Sequence, residues 1–288
     1  MRDQASQLRA LQNTFRGKIP PNPARKSGPR TIAITSGKGG VGKTNVCLNL
    51  GIAIAQKGKK VLLLDADLNL GNLDVLLGMS PQYTLRNVIA GQMKLEQVLV
   101  EGPEGIKVIP ASSGALELTE VDSFMRQQII NELSELKEPF DFLLIDTPAG
   151  IGHHVFDFIN YSQQTLVLTT PEPTAIIDAY AVIKLLWQRR QSNAAVHLVI
   201  NNVTDKTSAE EVYQKLNLVT QRFLNKKINE WTFIEYDQRI PTSVQEQQPF
   251  LTLFPDSDAT RAIFSLREKL LAPAHRTPAV QTEFVEMY

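Results

Sequence analysis

The chain has 288 residues, 43% hydrophobic and 21% charged, enough apolar side chain for a sizeable core, with no apolar run long enough to span a membrane and no secretory signal. Thirty basic residues offset thirty acidic ones, which argues against a global electrostatic attraction to nucleic acid. The single cysteine, Cys47, excludes an intrachain disulfide and a cysteine set for zinc or an iron–sulfur cluster, and it fits a reducing, cytoplasmic compartment.

Residues 1–16 predict a short helix with Ala5, Leu8, Leu11 and Phe15 on one stripe. Residues 17–29 carry Pro20, Pro21, Pro23 and Pro29 beside Arg25 and Lys26, the composition of a flexible linker. The helix is therefore expected as an appendage tethered ahead of a core over 30–271, with a tail over 272–288. From Arg30 onward, apolar runs predict strands over 31–35, 60–65, 106–110, 140–146, 165–169 and 196–201. Helices are predicted over 45–56, 122–136, 174–190, 208–224 and 256–271. This alternation predicts an α/β fold: a mostly parallel sheet flanked by helices on both faces. Ligands of such sheets bind at the carboxyl ends of the strands.

The loop after the first strand reads Gly37-Lys38-Gly39-Gly40-Val41-Gly42-Lys43-Thr44, the full G-x-x-x-x-G-K-T spacing, and a helix follows from Asn45. Glycines let successive backbone N–H groups turn toward phosphate oxygens, and the helix start adds its dipole. Lys43 is placed to reach β- and γ-phosphates and the Thr44 hydroxyl to bind Mg²⁺. The second strand ends in Asp65-Ala66-Asp67, two carboxylates on one side, suited to holding Mg²⁺ or orienting a water. The run Phe142-Leu143-Leu144-Ile145 closes on Asp146, a Walker B pattern that puts Asp146 near Mg²⁺. Gly150, four residues on, can present a backbone N–H to the γ-phosphate. His153 and His154 are adjacent and rarely face one metal together, so partner contact or solvent is expected. Asn201 ends a later strand, and its amide offers a donor and an acceptor that match the edge of adenine.

Lys38, a second lysine in the loop, makes the form K-G-G-x-G-K-T, which resembles the deviant Walker A loop of the MinD/ParA group of ATPases. The resemblance covers about residues 30–271 and implies a P-loop NTPase that binds ATP and Mg²⁺. It further implies an ATP-dependent homodimer in which Lys38 crosses to the partner's phosphates. Carried over, Asp67 positions the attacking water, Asp65 supports the Mg²⁺ shell, and Asn201 reads the base. Tyr236-Asp237-Gln238-Arg239-Ile240-Pro241 resembles the family's other base-side loop and adds Asp237 to the nucleotide set. MinD-type proteins carry a basic amphipathic helix at the end of the chain. Here Phe284, Val285, Met287 and Tyr288 lie among Glu283 and Glu286, with only Arg276 basic, so attraction to anionic lipid is expected to be weak and peripheral membrane binding stays open.

The segment Asp3-Gln4-Ala5-Ser6-Gln7-Leu8-Arg9 is similar to the D-Q-A-x-x-L-R element of the FlhG family (also FleN or YlxH), MinD-like ATPases of flagellar number and placement. The resemblance implies that this element stimulates an FlhF-like GTPase. Ala5 and Leu8 would seat the helix in a groove, while Gln4 orients a water or Arg9 supplies charge. Flagellar transcription regulators or switch-complex proteins are further expected partners. The competing readings are a division-site MinD, which gives no reason for residues 1–16, and a ParA-type segregation ATPase, which would want a basic surface. A metal-cluster carrier of the same superfamily is opposed by the lone Cys47.

Overall fold

The computed structural model describes residues 28–68, 71–111, 123–189 and 195–272. The expected helix over 1–16, with Gln4, Ala5, Leu8 and Arg9, lies outside them, as do most of the linker and the tail beyond Ala272. The strands are β1 (Arg30–Ser36), β2 (Val61–Asp65), β3 (Val100–Glu101), β4 (Lys107–Ile109), β5 (Phe142–Ala149), β6 (Gln164–Thr169), β7 (Ala195–Val203) and β8 (Glu230–Glu235). They form one sheet in the order β3-β4-β2-β5-β1-β6-β7-β8, parallel except for the β3–β4 pair. The helices are α1 (Lys43–Ala55), α2 (Leu73–Leu76), α3 (Leu85–Ile89), α4 (Ser123–Glu135), α5 (His153–Tyr161), α6 (Pro173–Arg189), α7 (Lys206–Leu224), α8 (Arg239–Gln245), α9 (Phe250–Leu253) and α10 (Asp258–Leu271). Two short 3₁₀ turns, Leu95–Val98 and Pro103–Gly105, flank β3. No helix among the described residues is long and apolar enough to cross a membrane.

The central strands are continuous apolar runs because both of their faces are covered. Side chains alternate between the two faces with period two. Ile32, Ile34, Leu63 and Leu144 join Val46, Leu50 and Ile54 of α1 and Ile263 and Leu266 of α10 in one core. Ala33, Val167 and Leu198 point the other way, into a core with α5, α6 and α7. Leu62, Leu64, Leu143 and Ile145 pack with Leu85 of α3 and Ile129 of α4.

α1 is buried along its whole middle, from Val46 to Ile54, because sheet and α10 sandwich it. Within it Asn49 is fully buried, and its amide donates to the Asn45 carbonyl at 2.8 Å and accepts from the Leu251 N–H at 2.9 Å. This ties α9 to the helix that follows the phosphate loop.

The elements expected within 30–271 are present with shifted ends. The helix predicted from 208 begins at Lys206, because the Asp205 carboxylate caps it by accepting from the Ser208 N–H at 2.8 Å. The helix predicted from 256 begins at Asp258, capped by Ser257. β8, β3 and the nine-residue helix α5 were not expected.

Candidate nucleotide site

The loop between β1 and α1 stands at the carboxyl edge of the sheet, beside the middle strand β1. Gly40 and Gly42 have φ of 76° and 94°, left-handed values that a side chain would strain. Gly37 faces α6 so closely that a Cβ there would lie 2.4 Å from the Asp178 carbonyl oxygen. Val41 is buried and pins the loop to the core, while Gly39 and Gly40 are exposed. The Ser36 hydroxyl donates to the Lys38 carbonyl at 2.6 Å and braces the turn. α1 starts at Lys43 with no side-chain cap and no acidic residue in its first turn. Its first N–H groups, with Thr44 and Asn45 beside them, are thus open to an anion.

Two carboxylates stand next to each other across the sheet, since Asp65 of β2 is in register with Asp146 of β5. Both are buried and both are held above the usual carboxylate range. Burial is the main cause for each, and for Asp65 the nearby Asp146 charge adds to it. Asp65 is the anchor of the following loop: its Oδ2 accepts from the N–H groups of Asn72 (2.8 Å) and Leu73 (3.1 Å), and its Oδ1 from that of Asp67 (3.2 Å). Asp146 hydrogen-bonds to the Thr44 hydroxyl, and its Oδ1 is buried with no hydrogen-bond partner. The Lys43 ammonium has its pKa lowered by burial, opposed by the charges of Asp146 and Asp67. Lys43 is thus a half-buried cation within electrostatic reach of both aspartates. A hydroxyl, a buried carboxylate oxygen without a partner and a second carboxylate nearby form the hard-oxygen set that suits Mg²⁺.

Gly150, with φ of 110°, turns at the end of β5 and donates its N–H to the Ser36 carbonyl at 2.8 Å. Lys38 is ion-paired to Glu172 and donates to the Thr174 hydroxyl at 3.1 Å, both just ahead of or within α6. Asn201 lies against the loop, donating its amide to the Val41 carbonyl at 2.8 Å. A Cβ on Gly42 would come within 2.4 Å of that amide. Asp237, beyond β8, is buried, and its carboxylate accepts from the Arg239 backbone N–H and guanidinium, which lower its pKa. His153 and His154 are exposed on the first turn of α5.

The sheet thus brings Lys38, Lys43, Thr44, Asp65, Asp67, Asp146, Gly150 and Asn201 to one edge. Glu172, Thr174 and Asp178 are part of the same edge and were not singled out beforehand. The signal was a Thr169-Thr170-Pro171-Glu172 step at the carboxyl end of an apolar strand.

A family model described as "ParA: NUBPL iron-transfer P-loop NTPase" matches residues 29–271. The antiactivator FleN of Pseudomonas aeruginosa is 39% identical over 88% of this chain and 91% of its own length. The flagellum site-determining protein YlxH of Helicobacter pylori is 36% identical over 75% of this chain and 72% of its own. The septum site-determining protein MinD of Pyrococcus horikoshii, solved with Mg-ADP, superposes with a TM-score of 0.69 at 26% identity, covering 85% of this chain and 96% of that one. A phosphate loop, a paired aspartate edge and likeness along almost the whole length agree: the chain belongs to the ParA family of P-loop NTPases, among its MinD-like members related to FleN and YlxH.

Proposed function

We propose that the protein is an ATP-driven dimerising switch that regulates flagellar number and placement. The observation that carries the enzymatic part is the glycine-turned loop with Lys43 and Thr44 at an uncapped helix start, within electrostatic reach of Asp146 and Asp67. In this reading the loop N–H groups and Lys43 bind the β- and γ-phosphates, Thr44 and Asp146 hold Mg²⁺, and Asp65 keeps the loop bearing Asp67 in place. Mg²⁺ supplies charge neutralisation along the phosphates. Asp67 would orient the attacking water, while the Gly150 N–H, donated to the Ser36 carbonyl at 2.8 Å, would have to leave that acceptor to reach the γ-phosphate. Asn201 and the Asp237 loop take the base end.

The dimer reading rests on the surface around the loop. Ile151, next to Gly150, is 49% exposed, and Ile177, on the first turns of α6, is 66% exposed. Together with Lys38 of the phosphate loop they offer apolar side chains and a cation to a second copy. Crossing to that copy requires Lys38 to leave Glu172. The flagellar assignment is carried by the likeness to FleN and YlxH, and the stimulation of an FlhF-like GTPase by Gln4, Ala5, Leu8 and Arg9 is part of the same proposal. Iron transfer, named in the matching family model, finds only one thiol, and it is buried.

Titration with ATP and Mg²⁺ and size-exclusion runs in ATP test the scheme. Lys43→Ala should lose about ten- to a hundredfold in ATP affinity, as when a charged hydrogen bond is removed. Asp67→Ala should bind ATP, accumulate as dimer, and hydrolyse on the order of a hundredfold more slowly. Unchanged affinity in the first variant, or a monomeric second variant, would refute the scheme. A peptide of residues 1–16 should raise phosphate release by an FlhF-like GTPase, and no stimulation would remove that partner.

A further inference from the structure

Asn201 does more to the phosphate loop than lie against it. In the order β1-β6-β7 its strand stands two away from the one that feeds the loop, roughly 10 Å at the usual strand spacing. The loop leans across the end of β6, and its Val41 carbonyl accepts from the Asn201 amide at 2.8 Å, a contact across 160 residues of sequence. The strand is shaped to aim that amide. β7 pairs with β8 at Asn201 and Ile234 and next at Val203 and Glu235, so Asn202 is an extra residue, a β-bulge, with φ of 63°. Asparagine takes this left-handed backbone more readily than most side chains, and a bulge re-aims its neighbour. On the loop side Gly42 leaves the room, since a Cβ there would lie 2.4 Å from the Asn201 Nδ2.

The contact falls on a peptide that needs holding. Val41 is buried, whereas Gly42, with φ of 94° and no side chain, lets the peptide between them turn over at little cost. A trans peptide points its carbonyl and its N–H in opposite directions. With the Val41 carbonyl held on Asn201, the Gly42 N–H faces away from Asn201, where it can meet a phosphate oxygen. Turned over, the same peptide would offer a carbonyl oxygen to the anion, which repels it. A carboxamide has two hydrogens and an oxygen to give. The Val41 bond uses one hydrogen, and the other hydrogen and the oxygen remain for a base.

We propose that Asn201 is a positioning residue of the phosphate loop: its amide, aimed by the Asn202 bulge, sets the Val41–Gly42 peptide for phosphate before any base arrives, which rests on the loop's being the site of the ATP phosphates. The probe is inorganic tripolyphosphate with Mg²⁺, which carries phosphates and no base, titrated into the full-length chain by calorimetry. Asn201→Ala should lose about five- to tenfold in affinity for tripolyphosphate, the worth of one hydrogen bond, and at least as much for ATP. Asn202→Val, strained at a left-handed φ, should lose a similar factor, and Asn202→Gly should lose none. Both residues act through one contact. Asn201→Ala combined with Asn202→Val should therefore lose no more than Asn201→Ala alone, whereas independent defects in folding would multiply. An Asn201→Ala protein that loses affinity for ATP but not for tripolyphosphate would overturn the proposal and leave Asn201 a reader of the base alone. Losses that multiply in the double variant, or an unchanged protein that binds ATP but not tripolyphosphate, would overturn it as well. An unchanged protein that binds neither would remove the phosphate site itself, and the proposal with it.

Discussion

Gly37 has no room for a methyl group, because backbone of α6 occupies the space. Gly37→Ala should push the phosphate loop and α6 apart and weaken nucleotide binding at least tenfold with the fold retained. Calorimetry with circular dichroism checks this. A different lesson comes from His197 of β7, buried with its Nε2 at 2.8 Å from the hydroxyl of Thr232 in β8, which also accepts from Lys269 of α10 at 3.3 Å. Burial first, and Lys269 second, lower its pKa to about 3. In the unfolded chain the ring takes up a proton below about pH 6.5. Stability is therefore lost as pH falls from about 6.5 toward the folded value, by about 1.4 kcal/mol per pH unit. Between pH 7 and pH 5 the protein should lose about 2 kcal/mol more than a His197→Gln variant does. Urea unfolding at the two pH values measures it, and equal losses would contradict the argument.

At the scale of elements, Asn49 joins α1 to α9. Asn49→Leu strands the Leu251 N–H inside the core and should cost about 1–3 kcal/mol. Thermal unfolding should show it, together with lower nucleotide affinity, since α1 carries Lys43 and Thr44. What could be read beforehand followed the strength of the local signal. β1, β2 and β5 are unbroken apolar runs, and the loop after β1 has a spacing that few other structures require. β8 was unread although Trp231 and Phe233 alternate with the buried Thr232 and Ile234. An edge strand is half exposed, so its run is short and bounded by Glu230 and Glu235. α5 was hidden by its opening His153 and His154, which face solvent. In the site, residue types announced Lys43, Thr44 and Asp146. Contacts across long sequence separations had no local signal: Asn201 on the Val41 carbonyl and Glu172 on Lys38.

For the whole molecule, nucleotide binding and stability are one equilibrium. The raised pKa values of Asp65 and Asp146 mark a cluster that a cation would relieve. ATP with Mg²⁺ at a hundred times its Kd should add about 2.7 kcal/mol, or roughly 5–10 °C in Tm. ATP with a chelator should add less, and an equal shift would argue against Mg²⁺ at Asp146. The sheet itself presents two borders. At one, β3 is two residues long and the Lys107–Glu101 pair spans its ladder. At the other, Lys269 lays its ammonium on the Trp231 carbonyl of β8. A parallel sheet assembles slowly, and an open border invites strands of other molecules to add. A charged amine seated on that carbonyl makes an incoming strand surrender a hydrogen bond before it gains one. Lys269→Leu should then fold to the same structure, yet precipitate sooner in light-scattering runs during refolding at high concentration.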